Sequence, residues 1–270
     1  MSPETILGDR IAAALAARVG TRPLVVGVCG AQGSGKTTLV ARLAQRFPRS
    51  ATLSLDDLYL SRAARRALAR DIHPLFATRG VPGTHDVALG QEVLARLGAG
   101  EPVRLPRFDK ARDDRLPEED WPQARADCEL VLFEGWCVGA RAQPAAALAV
   151  PVNALEAEED ADGRWRVHVN SALKGDYASL FGRLDRLALL AAPDWATVPR
   201  WRMQQEEDLR RRAGAGAGIM ADAEIARFTA HFERLTRWIL AEMPARALTL
   251  YLDAQRRPVA MTDGVGEWPE

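Results

Sequence analysis

The chain has 270 residues, its 36 basic residues are balanced by 36 acidic ones, and 47% of its residues are hydrophobic. A net charge of zero gives no global basic field, which excludes non-specific nucleic-acid or anionic-membrane binding as the default function. No run approaches the roughly 18 apolar residues of a membrane span, and Cys29, Cys128 and Cys137 form no C-x-x-C, so a reduced, cytoplasmic setting is expected.

The first predicted element is an amphipathic helix over 2–19. Ser2-Pro3 suits an N-cap followed by proline at the first helical position. Leu7, Ile11, Leu15 and Val19 recur every fourth residue as one buried stripe, and Gly20 ends it. Glu4 and Asp9 argue against a signal peptide. Leu24 to Cys29 reads as a strand buried on both faces, bounded by Pro23 and Gly30. Helical spacing returns over 36–47 with Leu39, Leu43 and Phe47. Ala51 to Leu55 is a second strand, and Val87, Val93, Leu94 and Leu97 mark a helix. Glu129 to Phe133 is a third strand, and Leu187 to Leu190 belongs to a fourth. The acidic stretch 156–163 reads as a solvated surface insertion. Trp201 to Arg212 reads as a helix with pairs Glu206–Arg210, Glu207–Arg211 and Asp208–Arg212. The AGAGAG segment at 213–218 reads as a flexible hinge. Strands alternating with helices predict an α/β fold with a mostly parallel sheet flanked by helices. No long linker or repeat divides the chain, so one domain is expected over 1–270, with its core at about 24–255.

Gly30-Ala31-Gln32-Gly33-Ser34-Gly35-Lys36-Thr37 matches G-x-x-x-x-G-K-[ST], between a predicted strand and a predicted helix. Glycines let the backbone wrap phosphate oxygens without a Cβ clash, and the amides and the helix N-terminus face the anion. Lys36 reaches the β- and γ-phosphates as a compact charge, in a chain whose only other lysines are Lys110 and Lys174. Thr37 is placed to ligate Mg²⁺, with Thr38 beside it in the nucleotide site. The motif states nucleotide-phosphate binding and leaves kinase, motor and switch open.

Two acidic strand ends bear on that choice. The second strand runs into Asp56-Asp57, at the sheet end where ligands bind in open α/β folds. Asp56 is the candidate base for an attacking hydroxyl. Spacing alone weighs this evenly against a helix-capping role for Asp56 or Asp57. The strand ELVLF ends in Glu134, a candidate Mg²⁺ ligand once paired with the phosphate loop.

GAQGSGKTT, SLDDLYLS, RGVPGTHD, PRFDKARDDR, VLFEGW and WRMQQEEDLR, in this order, resemble D-glycerate 3-kinase and its bacterial relatives. These belong with the P-loop kinases of the phosphoribulokinase, uridine kinase and pantothenate kinase group. The resemblance spans roughly 24–240 and implies a P-loop NTPase fold with a helical lid over about 200–220. It implies ATP and Mg²⁺ as cofactors, a small hydroxylated substrate and, for the namesake enzyme, D-glycerate as acceptor. It also implies that Asp56 rather than Asp57 is the base. Leu58 stands where familiar members carry phenylalanine.

A carboxylate acceptor needs a cationic partner, and Arg79, Arg107 and Lys110 are the candidates. Asp86 and Asp109 are candidates for its hydroxyls, and Tyr59 and His85 complete the acceptor set; His85 fits a structural role equally well. Arg202 and Arg210 are the lid candidates that the resemblance implies over the phosphates. A kinase of the same group acting on a nucleoside, pantothenate or another sugar acid is the alternative within the class, and a nucleotide-gated switch or transporter ATPase is the rival reading from another class. Neither an N-K-x-D nor an LSGGQ-type segment supports it.

Overall fold

The computed structural model describes residues 1–213, 222–264 and 268. Ser2 caps helix α1 (Pro3–Ala16), its hydroxyl accepting the Thr5 N–H at 3.2 Å. Leu7, Ile11 and Ala14 bury the inner face of this helix. Val19 departs from the expected stripe and is 98% exposed. The chain leaves the helix one turn early to reach the sheet, and Arg18 fastens that exit by donating to the carbonyls of Arg22 and Glu129.

Five parallel strands follow: β1 (Leu24–Gly30), β2 (Ser50–Ser54), β5 (Leu130–Gly135), β6 (Arg186–Ala191) and β7 (Leu248–Leu252). β8 (Pro258–Thr262) adds an antiparallel edge, giving the order β2-β5-β1-β6-β7-β8. A separate two-stranded ribbon joins β3 (Phe108–Asp109) to β4 (Asp114–Arg115). Strand alternation divides the core into two layers. Val25 and Cys29 pack with Leu53, Phe133 and Leu189 on one face. Val26 and Val28 pack with Leu39, Leu43, Leu132 and Leu190 on the other.

The helices are α2 (Lys36–Arg46), α3 (Arg62–Asp71), α4 (Val87–Gly98), α5 (Ala154–Glu159), α6 (Arg164–Lys174), α7 (Asp176–Phe181), α8 (Thr197–Ala213), α9 (Asp222–Ala230) and α10 (Glu233–Glu242). Among the described residues, no helix is long and apolar enough to cross a membrane. The three cysteines are buried and free. β1 lies between β5 and β6, so the phosphate loop leaves the middle of the sheet. Ser54 at the end of β2 pairs in register with Glu134, and Glu134 with Val28. The acidic strand ends thus converge beside the loop.

The acidic stretch 156–163 is not a solvated insertion. Asn153 caps α5 by accepting the Glu156 N–H at 3.0 Å. Glu156 is 1% exposed and takes a two-pronged bond from Arg234, at 2.8 and 2.6 Å. Asp160 is fully buried and accepts from Trp165 N at 2.7 Å and Arg166 Nη1 at 2.9 Å. Glu159 reaches Arg227 at 2.6 Å. Three of the five acids in this run therefore tie α5 to α6, α9 and α10, because Glu156, Glu159 and Asp160 each meet a guanidinium that sequence spacing does not reveal. His73, Asp160 and Asp162 lie close enough to suggest a metal group. However, His73 Nδ1 accepts the Leu75 N–H, and the Asp160 carboxylate already accepts from the Trp165 and Arg166 amides and from the Arg166 guanidinium.

Removing one partner of a buried ion pair leaves the other charge stranded. Glu156→Ala is expected to lower the unfolding free energy by about 3–5 kcal/mol in urea titrations. The exposed Glu158→Ala should change it by less than about 0.5 kcal/mol. Equal effects of the two would contradict this account of the acidic stretch.

Candidate active site

Gly30 ends β1 and Lys36 begins α2, so the motif forms the turn between them. Gly33 (φ +77°) and Gly35 (φ +89°) adopt the left-handed conformation that lets the loop curl. At Gly33 an added Cβ would lie 2.6 Å from the Cβ of Trp201, so α8 rests directly on the loop. The Trp201 indole donates to Ala254 O at 2.8 Å. Arg256 lies 5.2 Å over the Trp201 ring and donates to Gly33 O. Ala31 packs into the core below. Gln32 Oε1 and Ser34 Oγ are buried without a partner among the described residues. Lys36, Thr37 and Thr38 form the first turn of α2, whose N-terminal amides suit an anion.

Glu134 is 6% exposed at the end of β5. Its Oε1 accepts from Ser54 Oγ at 2.9 Å and lies 3.5 Å from Thr37 Oγ1. Its Oε2 is buried with no partner among the described residues. A hydroxyl and a carboxylate with one vacant oxygen form a hard-oxygen donor set, which fits Mg²⁺. Ser54 was not legible as a site residue; its role depends on register with a strand 80 residues away.

Asp56 and Asp57 follow β2 in a single 3₁₀ turn, Leu55–Leu58, and neither caps a helix. Asp56 Oδ2 takes a bond from Lys110 Nζ at 2.6 Å, and its Oδ1 accepts from Tyr59 OH at 2.9 Å. Burial works to raise the Asp56 pKa. The charges of Lys110 and then Lys36 outweigh it and hold the carboxyl well below the usual range. Asp57 turns the other way, accepting the Phe108 N–H at 3.0 Å and Arg107 Nη1 at 3.3 Å. Its pKa is raised by burial, against those two bonds. Arg107 is therefore engaged in anchoring the ribbon.

The segment 79–86 lies against this turn. Thr84 closes it, accepting Gly80 N–H at 3.0 Å and donating to Val81 O at 2.7 Å. Asp86 caps α4 through Leu89 N at 3.0 Å and pairs with Arg115 at 3.1 Å. Asp109 accepts Ala111 and Arg112 amides within the β3–β4 turn. Arg79 pairs with Asp113, which also binds the buried Arg65 at 2.8 Å. Tyr59 and His85 are both buried and stack with ring centroids 4.7 Å apart. Burial pushes His85 down to about 3, against a weaker opposing pull from Asp56. Tyr177 carried no sequence signal, and Asp113 and Arg115, inside the PRFDKARDDR motif, were not singled out, because each meets its partner only through the fold.

On α8, Arg202 pairs with Glu206. Its guanidinium lies 5.7 Å over the Phe228 ring, and its Nε is buried without a partner among the described residues. Burial lowers its pKa, with Arg79 adding to that and Glu206 and Asp56 opposing it. Glu207 and Arg211 are 3.8 Å apart. The side chains of Asp208, Arg210 and Arg212, and the segment 214–218, lie outside the described residues.

Comparison with known proteins agrees with this geometry. Residues 25–148 match the Phosphoribulokinase / Uridine kinase family. The chain is 34% identical over 265 residues to the uncharacterized kinase mug58 of Schizosaccharomyces pombe, covering 89% of this chain and 91% of that protein. It is 31% identical over 261 residues to the chloroplastic D-glycerate 3-kinase of Arabidopsis thaliana, covering 88% of this chain and 54% of that protein. The structure of a D-glycerate 3-kinase from Cryptococcus neoformans superposes with a TM-score of 0.80 at 25% identity, over 96% of this chain and 98% of that one. With its phosphate loop at the centre of a parallel sheet, the chain belongs to the phosphoribulokinase/uridine kinase family of P-loop kinases and is an ATP-dependent phosphotransferase.

Proposed function

We propose that this kinase transfers the γ-phosphoryl group of ATP to a hydroxyl of a small carboxylated alcohol, with D-glycerate giving 3-phosphoglycerate as the leading acceptor. The observation that carries the reading is the position of Asp56 in the joint field of Lys36 and Lys110. One lysine belongs to the nucleotide cradle and the other to the acceptor ribbon. The similarity to D-glycerate 3-kinases of plant and fungal origin supports the choice of acceptor.

In this reading, the amides of 30–38 and Lys36 hold the triphosphate. Thr37 and Glu134 would hold Mg²⁺, which would supply charge neutralisation during phosphoryl transfer. Asp56 accepts the hydroxyl proton as the phosphoryl group departs. A carboxylate whose pKa is held low is ionised at every working pH. Without substrate it is occupied by Lys110. An anionic acceptor competes for that ammonium, and Arg79 adds a second cation nearby. Binding of the acceptor therefore frees the base, and water alone does not. Arg202 and Arg210 are the proposed lid contacts to the phosphates. Excluding water there suppresses idle hydrolysis.

The test is ADP release with D-glycerate, L-glycerate, uridine, pantothenate and ribulose 5-phosphate as acceptors. D-glycerate should give turnover, and ATP alone should give almost none. Rapid ADP release without any acceptor would instead indicate a nucleotide-gated module. Asp56→Asn should keep ATP affinity and lose about 10²- to 10⁴-fold in kcat; full activity would remove it as the base. Lys36→Ala should weaken both ATP binding and turnover, as read by calorimetry and by the same assay.

A further inference from the structure

We propose that His85 and Tyr177 are positioning residues for the base: Tyr177 locks the His85 ring in its uncharged Nε2–H form, and that ring is the platform holding the Tyr59 hydroxyl against Asp56. The proposal rests on the kinase reading for its kinetic consequences, and its geometry stands independently of that reading.

The backbone first brings the two rings together. Leu60 N donates to Thr84 O at 2.9 Å, and Asp86 N donates to Leu58 O at 2.7 Å. Tyr59 and His85 thereby form an isolated antiparallel bridge. Their rings stack, and Phe108 meets the Tyr59 ring edge-on at 5.3 Å. Held on two sides, the Tyr59 ring directs its hydroxyl to Asp56 Oδ1.

The protonation state of His85 follows from proton accounting. Gly83 N–H donates to the Tyr177 oxygen at 3.0 Å, and His85 Nδ1 lies 2.6 Å from the same oxygen. If Nδ1 carried the hydrogen, the buried Tyr177 hydroxyl would have a hydrogen and no acceptor among the described residues. If Tyr177 donates to Nδ1, that phenol is fully satisfied, and the imidazole hydrogen sits on Nε2. Nε2 is buried without a partner among the described residues. The ring is thus oriented by one bond to Tyr177 and by its stack on Tyr59. Asp56 is the charged group that acts on it, and burial outweighs that attraction. A phenylalanine at position 85 would keep the stack and lose the fixed ring plane. An imidazolium there would compete with Lys110 for the Asp56 charge.

Two measurements decide the matter. In ¹⁵N NMR of the intact protein, His85 should remain in the single Nε2–H form between about pH 8 and pH 5. In Tyr177→Phe it should become a tautomer mixture. An imidazolium or an Nδ1–H signal from His85 in the unmodified protein would overturn the proposal. This readout needs no turnover, so it stands even if no acceptor is found and the kinase reading fails. In the kinetic test, Tyr59→Phe and Tyr177→Phe should each lower acceptor-dependent kcat by about three- to tenfold, with KM for ATP within about twofold. The double variant should be no slower than Tyr59→Phe alone, because both changes remove one bond to Asp56. Effects that multiply would show that Tyr177 acts by another route and overturn the proposal.

Discussion

A carboxylate held between two ammonium groups is the interaction around which this site is arranged. Asp56 is kept ionised by Lys110 and Lys36, against the burial that would otherwise favour its protonated form. Coulomb attraction at this range is strong wherever solvent is partly excluded. The same attraction that keeps Asp56 charged also occupies it. In the proposed mechanism, the ligand that frees Asp56 is one that can take over Lys110. Such a latch would add to the water exclusion proposed for the lid in limiting idle ATP hydrolysis.

The rest of the fold serves to bring three chain segments to this point. β1 delivers the phosphate loop, β5 delivers Glu134 and β2 delivers Asp56, and the parallel register sets the three ends side by side. Trp201 braces the loop from outside at Gly33, so the helix carrying Arg202 begins in contact with the cradle. Phe228 beneath Arg202 packs on Phe232, and Phe232 fills the space where Gly80 has no side chain. The 79–86 segment and the Arg202 helix are thus connected through two aromatic rings. Buried pairs such as Glu156–Arg234 hold the helices that carry those rings.

Much of this was legible before any coordinates, for a physical reason. The phosphate loop is a local device whose glycines, lysine and threonine lie within eight residues, and strand periodicity reports burial directly. Asp56 and Glu134 stood out only in combination: spacing weighed Asp56 evenly against a capping role until the resemblance chose it, and Glu134 drew meaning from its pairing with the phosphate loop. What was not legible lies in partner choice across the fold. Nothing local distinguishes Glu156, buried against Arg234, from Glu158, exposed two residues later. Nothing local assigns Arg107 to Asp57 or Asp113 to Arg79. Val19 continued a perfect four-residue period yet lies outside, because the path to the sheet overrides the pattern.

The most direct test of the central claim is a crystal structure with a non-hydrolysable ATP analogue, Mg²⁺ and D-glycerate bound together. The triphosphate should lie in the 30–38 loop, the glycerate carboxylate should have taken Lys110 from Asp56, and the Asp56 carboxylate should face the acceptor hydroxyl. A nucleotide bound elsewhere, or a Lys110–Asp56 pair still closed with acceptor present, would contradict the account.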